Sequence, residues 1–439
     1  MTKKSLVVLL LLCTPLSVSL FGLERQDNSA YQKRRQALAE KAGAAVLLFA
    51  PTESEGPNAL YGFRQDDDFY YLTGITDPGA AVLVAPASKP GDQPEHGYVE
   101  ILFLPARNVT QEKWTGPKLT PETPDATGKT GFQQVIAIDQ IRDQLVKILP
   151  QPRAVVYTDT ALDSSSHGPL EWLRRANAFP NYIGFQDVKP LIHGFRLIKD
   201  AGELALIKKA TDASVAAHLA ALREMRPGKT EQQISAIMQY QFLSRGCERP
   251  AYAPIVGSGF YGTVLHYSKN ENTIKDGDLV VMDVAGEYSM YASDITRTLP
   301  ANGKFTPRQR EIYDIVYGAQ QAANASFKAG VSTRASLRQV AMDYINAHGK
   351  DKHGEPLGKY FIHGLSHAIG LNVHDPGPDI PLVPGMLFSN EPGIYLPEES
   401  LGVRIEDVMM VGEDGKLVNL SAAAPSKSDE IERAMAARK

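Results

Sequence analysis

At 439 residues, with 43% hydrophobic and 22% charged side chains, the chain has the composition of a globular protein long enough for two domains, each with its own core. A formal net charge of -4 and scattered Lys and Arg leave no basic face for nucleic acid or an anionic membrane surface. Polyanion binders are excluded, and small or peptide-like partners fit better.

At the N-terminus Lys3 and Lys4 precede an apolar run over 6–12, Pro15 breaks it, and Ser17-Val18-Ser19 offers small residues for cleavage. Residues 1–19 therefore read as a signal peptide, and the protein as exported, periplasmic or secreted. The run is well below the roughly 20 residues that a span needs, so no stable membrane span is expected. Lipid attachment at Cys13 is the alternative. Once 1–19 are removed only Cys247 remains, so there is no internal disulfide, and the thiol reads as a buried packing residue rather than a nucleophile.

A first α/β domain is expected over 24–190. Apolar spacing predicts a helix over 31–42 and strands over 44–49, 80–85 and 99–104. Within it, residues 63–74 (FRQDDDFYYLTG) crowd charge and aromatics together; the triplet Asp66-Asp67-Asp68 reads as a solvated turn. Residues 86–97 form a Pro/Gly-rich loop.

The second domain is expected over 191–439. Residues 181–195 lack a sustained period, whereas 197–222 show helical spacing that ends in Arg226-Pro227-Gly228. A second helix over 230–246 has Thr230 as N-cap, with Glu231 placed to suit the helix dipole. Helices over 306–329 and 333–348 follow, then strands over 386–391, 402–411 and 417–420, the last two joined by the Glu413-Asp414-Gly415 turn. Helices outside and a curved sheet within make an α+β domain.

Between these helices, residues 277–297 read as a hairpin: a strand over 279–286, a turn over 287–290 and a strand over 291–299. With the register centred on Tyr288 and Ser289, Asp283 faces Asp294, their Cβ atoms about 5 Å apart. Two like charges at that distance in an apolar setting need a cation between them, unless the pair shares a proton or the register slips. Further on, residues 361–375 (FIHGLSHAIGLNVHD) hold His363, His367 and His374. His363 and His367 lie four apart but lack the Glu of an HExxH site. Glu391 ends an apolar strand before Pro392-Gly393, and Glu406 alternates with Arg404. Four carboxylates and one imidazole make the donor set of a site for two divalent ions, with Mn²⁺ favoured by the carboxylate majority and Co²⁺ or Zn²⁺ also suited.

The segments VMDVAGEYSMYASDITRTLP, HGLSHAIGLNVHD, NEPGIY and GVRIED, with FRQDDDFYYLTG upstream, resemble the pita-bread metallopeptidases and, among them, the Xaa-Pro aminopeptidase (aminopeptidase P) and prolidase branch. The resemblance covers nearly all of the chain after the signal. It implies a pita-bread catalytic domain behind a smaller α/β N-terminal domain, and metal ligation by Asp283, Asp294, His367, Glu391 and Glu406. Glu391 matches the family's general base, while His266 and His374 match positions that stabilise the oxyanion. His363, Arg404 and Tyr395 match substrate-binding positions. A homo-oligomer, dimer or tetramer, is the corresponding expectation, with proline-containing peptides as partners. Two departures stand out: Ala368, where many relatives carry a large aromatic, and Ser389-Asn390 in place of a more apolar pair before Glu391.

The expected activity is hydrolysis of the bond between an N-terminal residue and a following proline. A prolidase, restricted to dipeptides, shares every metal residue. A creatinase-like amidinohydrolase would lack the metal residues, and a non-catalytic binding protein on this fold should have lost at least one.

Overall fold

The computed structural model describes residues 23–53, 61–87, 97–149, 154–161, 168–171 and 184–437. The expected signal peptide, with Cys13, and most of the 86–97 loop lie outside the described residues.

The first domain is a six-stranded mixed sheet: β1 (Ala45–Phe49), β2 (Ala81–Pro86), β3 (Tyr98–Leu104), β4 (Gln134–Ala137), β5 (Val155–Thr158) and β6 (Gly184–Asp187), in the order β4-β3-β2-β1-β5-β6. β1 and β2 are apolar without interruption, and β3 is broken only by the buried Glu100, because both faces are covered. Side chains alternate strictly between two cores: Leu47, Leu83 and Phe103 pack on Ile141 and Leu145, whereas Val46, Leu48 and Val82 pack with Leu38 of the helix Asn28–Ala42. The second of these cores continues into the other domain through Ile295, Ile369, Leu371 and Val408. The outer strands β4, β5 and β6 escaped the sequence reading because they are short and their apolar pattern is weak. Residues 181–195, which lack a period, contain β6 and all but the last residue of the separate helix Lys189–Arg196.

The second domain sets the helices Ala201–Glu224, Glu231–Leu243, Pro307–Ser326 and Arg334–His348 outside a set of small antiparallel sheets. Each helix starts at a reciprocal cap, as the Thr230 hydroxyl shows by accepting from Gln233 N. The strands are β7 (Arg249–Pro250), β8 (Ile255–Ser258), β9 (Leu279–Asp283), β10 (Gly286–Tyr288), β11 (Tyr291–Ala292), β12 (Thr296–Pro300), β13 (Leu387–Asn390), β14 (Gly393–Leu396), β15 (Leu401–Arg404), β16 (Asp407–Val411) and β17 (Leu417–Asn419). Single bridges, Thr296 to Glu406 and Ala368 to both Asp375 and Phe388, tie the sheets into one curved layer. Cys247 is buried, as a packing residue should be. Among the described residues no helix is long and apolar enough to cross a membrane.

Three expectations are corrected. Asp283 pairs with Thr296, not Asp294, because the hairpin turns at Ser289-Met290, both at positive φ (50° and 71°), one residue beyond the expected centre, which moves each partner by two. The expected strand over 402–411 breaks at Ile405-Glu406, so that Glu406 can bridge to Thr296. Asp66, Asp67 and Asp68 do not form a solvated turn: Asp66 caps the helix Asp67–Thr73, and Asp67 and Asp68 are buried at the domain interface beside Arg64 and Arg196.

The first domain also buries a full ion pair. Arg35 Nε lies 2.5 Å from Glu100 Oε2, both side chains fully inaccessible, and the guanidinium also donates to Leu72 O and Gly131 O, each at 2.9 Å. Removing one partner strands the other's charge in a dry core. Arg35→Ala is expected to lower stability by about 3–5 kcal/mol, read as a shifted denaturation midpoint; a loss below about 1 kcal/mol would show that the hydrogen bonds from Tyr98 Oη and Gln133 N suffice to hold the Glu100 charge.

Candidate metal centre

Four carboxylates and one imidazole converge from five short segments. Asp283 ends β9, Asp294 precedes β12, Glu391 follows β13, and Glu406 sits in the break between β15 and β16, its N–H donating to Thr296 O at 3.0 Å. His367 stands on the loop before β13, held by its N–H to Ser389 Oγ (3.0 Å) and by Ser389 N to its carbonyl (2.9 Å). His367 Nδ1 is 3.0 Å from Ala368 O, so the hydrogen sits on Nδ1. Nε2 is thereby left with its lone pair aimed at Asp294 Oδ2 (3.3 Å) and Glu391 Oε1 (3.4 Å).

These groups line a cavity of about 300 Å³. Asp283 Oδ1, Asp294 Oδ1 and Glu406 Oε1 are buried there without a protein hydrogen-bond partner, and ligand atoms of Asp294, His367 and Glu406 all lie within 4.8 Å of one another. Burial raises the carboxyls of Asp294 and Glu406 well above their ordinary range, reinforced at Asp294 by Asp283 and Glu391 and at Glu406 by Asp294 and Asp283. Burial, with Glu406 next, pushes Glu391 up to about 8. Orphaned carboxyl oxygens around the free imidazole nitrogen, crowded enough to resist ionising together, are the donor set of a divalent cation, so the residues present fit one.

Arg404 stands at the edge of this charge. Although burial opposes it, Tyr395 and Asp283 hold its guanidinium ionised. Nη2 donates to Asp283 Oδ2 and Nη1 to Tyr395 Oη, at 2.8 and 2.9 Å; the tyrosine hydroxyl in turn lies 2.8 Å from His363 Nε2. His363 Nδ1 faces Gly364 O at 2.7 Å, which leaves Nε2 as the acceptor of the phenol proton. Burial first, then the positive Arg404, lower His363 to about 4, so this histidine is neutral. His374 packs 4.0 Å from His367, ring centre to ring centre, and burial, then His367, lowers it too. His266 is exposed at the mouth of the cavity. The structure thus brings every sequence-predicted site residue to one place, with Tyr395 reaching it through His363 and Arg404.

Two supporting residues were not anticipated. Thr296 Oγ1 donates to Glu406 Oε2 at 2.6 Å and accepts from Arg404 Nε at 3.1 Å; it shares the alternation of Asp294, and that was the available signal. Ser389, noted above only as a departure, accepts from His367 N and donates to Glu391 Oε1 at 3.1 Å. Ala368, the other departure, is buried in its bridges to Asp375 and Phe388 and does not line the cavity.

The profile of Metallopeptidase family M24 matches residues 205–413, and that of the aminopeptidase P N-terminal domain matches residues 31–157. The chain is 36% identical to the Xaa-Pro aminopeptidase of Escherichia coli K12, over 95% of this chain and 99% of that one. Proline aminopeptidase P II from Yersinia pestis has a similar structure, with a TM-score of 0.82 at 33% identity, covering 94% of this chain and 100% of that one. For E. coli aminopeptidase P with the inhibitor Pro-Leu the TM-score is 0.83 at 32% identity, covering 94% and 99%. The curated relative and the solved structures are matched over almost their full length.

Repulsion among the orphaned carboxylates predicts that divalent ions stabilise the fold. At an ion concentration a hundred times Kd, binding to the native state alone adds about 2.7 kcal/mol. Chelation should lower Tm and Mn²⁺ should restore it; an unchanged Tm in a sample shown to be metal-free would remove the basis for a cation here.

Proposed function

The chain belongs to the Xaa-Pro aminopeptidases of metallopeptidase family M24, with an aminopeptidase P N-terminal domain and a pita-bread catalytic domain, and from that premise we propose which of its residues carry each part of the reaction. It is a metallopeptidase that hydrolyses the bond between an N-terminal residue and a following proline. The observation that supports the assignment is the set of orphaned carboxylate oxygens facing the His367 lone pair.

Asp283, Asp294, His367, Glu391 and Glu406 would hold two divalent ions, Mn²⁺ first on the carboxylate majority, with Co²⁺ or Zn²⁺ as alternatives. When bound, such ions lower the pKa of a water molecule and polarise the scissile carbonyl. Glu391 takes the proton from the attacking water and delivers it to the leaving nitrogen. Its place suits that role: one oxygen accepts from Ser389, while the carboxylate also faces the cavity. His374, neutral beside His367, and His266 at the mouth are placed to donate to the tetrahedral oxyanion. His363 and Arg404 border the space for the substrate, and the Tyr395 hydroxyl between them fixes both.

A bond before proline has no N–H to donate, so its recognition rests on fitting the ring rather than on a hydrogen bond from that nitrogen. We assign residues 1–19 as a signal peptide and the mature protein to an exported location, periplasmic or secreted, with a homo-oligomer as the working assembly. Mass spectrometry of the native protein should find an N-terminus near Leu20; an intact Met1 would refute export, and a lipid on Cys13 would redirect it.

Glu391→Gln separates the base from a mere ligand. It keeps size and one coordinating oxygen but cannot take a proton. With an Xaa-Pro-Yaa tripeptide at saturating Mn²⁺ and bound metal counted, kcat is expected to fall by at least about 10²-fold while KM moves little. Asp283→Asn, the comparison, should lose activity in step with lost metal and recover when ions are forced back. A Glu391→Gln variant with two bound ions and near wild-type kcat would pass the role of base to His374.

A further inference from the structure

Arg64, in the first domain, touches both catalytic segments of the second domain at once. Its Nε donates to Glu287 Oε1 and Oε2 at 3.0 and 2.9 Å, and its Nη2 donates to Leu371 O at 2.9 Å. Its Nη1 lies 2.9 Å from Asp67 Oδ1, so every nitrogen of the guanidinium has a partner. Glu287 is in the connector between Asp283 and Asp294. Leu371 lies between His367 and His374. The two segments also meet directly, Ala292 N donating to Gly370 O at 2.8 Å.

The histidine segment closes on itself through Asp375 N–H to Ala368 O at 2.9 Å, but the connector is not held rigidly by its own sequence. The connector turns at Ser289 and Met290, both non-glycine residues at positive φ (50° and 71°), a conformation that persists only where its surroundings over-determine it. Part of that support is the Glu248 carboxylate, which accepts Ser289 N–H at 2.9 Å. Arg64 is another part, gripping the connector two residues before the turn. On the histidine segment Asn372 donates to Asp67, and Asp375 is held by Arg196 Nη2 (2.6 Å) and Lys199 Nζ (2.9 Å). A guanidinium is a planar, rigid fork, so filling both sides of it fixes the spacing of what it binds.

We infer that Arg64 is a positioning residue for the metal centre: by joining Glu287 to Leu371 O it sets the distance between the Asp283/Asp294 hairpin and the His367/His374 loop. The inference rests on the reading of Asp283, Asp294 and His367 as metal-holding residues. It gives the first domain a part in building the active site, besides covering it.

The test uses the full chain and Mn²⁺ alone, titrated calorimetrically, followed by kcat and KM at saturating Mn²⁺. Losing a group that orients metal ligands typically costs about 10–100-fold in affinity or activity. Arg64→Ala is expected to weaken Mn²⁺ binding by about that factor, to lower kcat with KM little changed, and to regain part of both losses when guanidinium ion is added. Glu287→Gln, which keeps the shape and loses the charge, should show a smaller drop and decides the matter if Arg64→Ala does not fold. A folded Arg64→Ala with lower Tm but wild-type Mn²⁺ affinity and kcat would show an interface contact only and overturn the inference; so would wild-type affinity in Glu287→Gln when that variant decides. Asp283→Asn runs alongside: wild-type Mn²⁺ affinity there would place the error in the metal-site reading itself, whatever Arg64→Ala does.

Discussion

Like charge gathered in a small space is the constraint on which this structure depends. Two unit charges 4 Å apart at an effective dielectric of about 20 repel by about 4 kcal/mol, and here four carboxylates face one cavity. Arg404, reaching Asp283 at 2.8 Å, offsets only part of that. The rest of the second domain keeps the carboxylates from turning away. Short strands end where a ligand must point inward, the break at Ile405-Glu406 lets Glu406 bridge to Thr296, and the capped helices pack behind. A sheet of long regular strands would alternate every second side chain outward; these strands stop early, and the loops that follow aim the carboxylates into the cavity.

The sequence made the site more legible than the sheet. Asp283 and Asp294 stand out because charge in an apolar stretch has no structural excuse, His367, Glu391 and Glu406 join them through the resemblance of their motifs, and all five line the cavity. The pairing of the hairpin was not legible: it depends on Ser289-Met290 taking positive φ, which nothing in the Tyr288-Ser289-Met290 sequence announces, since neither is Gly, Asn or Asp. The error nonetheless left the face correct. Strand periodicity is two, so a register displaced by two residues returns each side chain to the same side, and Asp283 and Asp294 became diagonal neighbours instead of opposite ones.

The acidic triplet failed for a different reason. Composition says that Asp66-Asp67-Asp68 belongs in water, and it would if Arg196 and Asn372 did not come to it from elements 128 and 305 residues away to join the neighbouring Arg64. Partners at such separation are invisible to any local window. The buried position has electrostatic consequences: burial pushes Asp67 up to about 7, against the pull of Arg64 and Arg196, while Asp68 is held low despite burial by His193 and Arg196. The domain interface is thus a mixture of apolar core, in which Ile369 and Leu371 belong to the same cluster as Val46 and Leu48, and a charged seam beside it.

Within the carboxylates the structure divides the two oxygens between protein and cavity. Glu406 Oε2 takes the Thr296 hydroxyl while Oε1 is orphaned, and Asp283 Oδ2 takes Arg404 while Oδ1 is orphaned. At Glu406 and Glu391 a single hydroxyl hydrogen bond holds one oxygen without bringing a charge that would compete with a cation, whereas Asp283 is held by the charged Arg404. This explains why Ser389 and Thr296 stand where an apolar strand residue would otherwise pack better. Each orphaned oxygen costs about 1–3 kcal/mol in the metal-free fold, and that cost disappears when a cation occupies the space. A cation in that space would return the cost as affinity, and the Thr296 and Ser389 hydroxyls oppose its relief by rotation of Glu406 or Glu391.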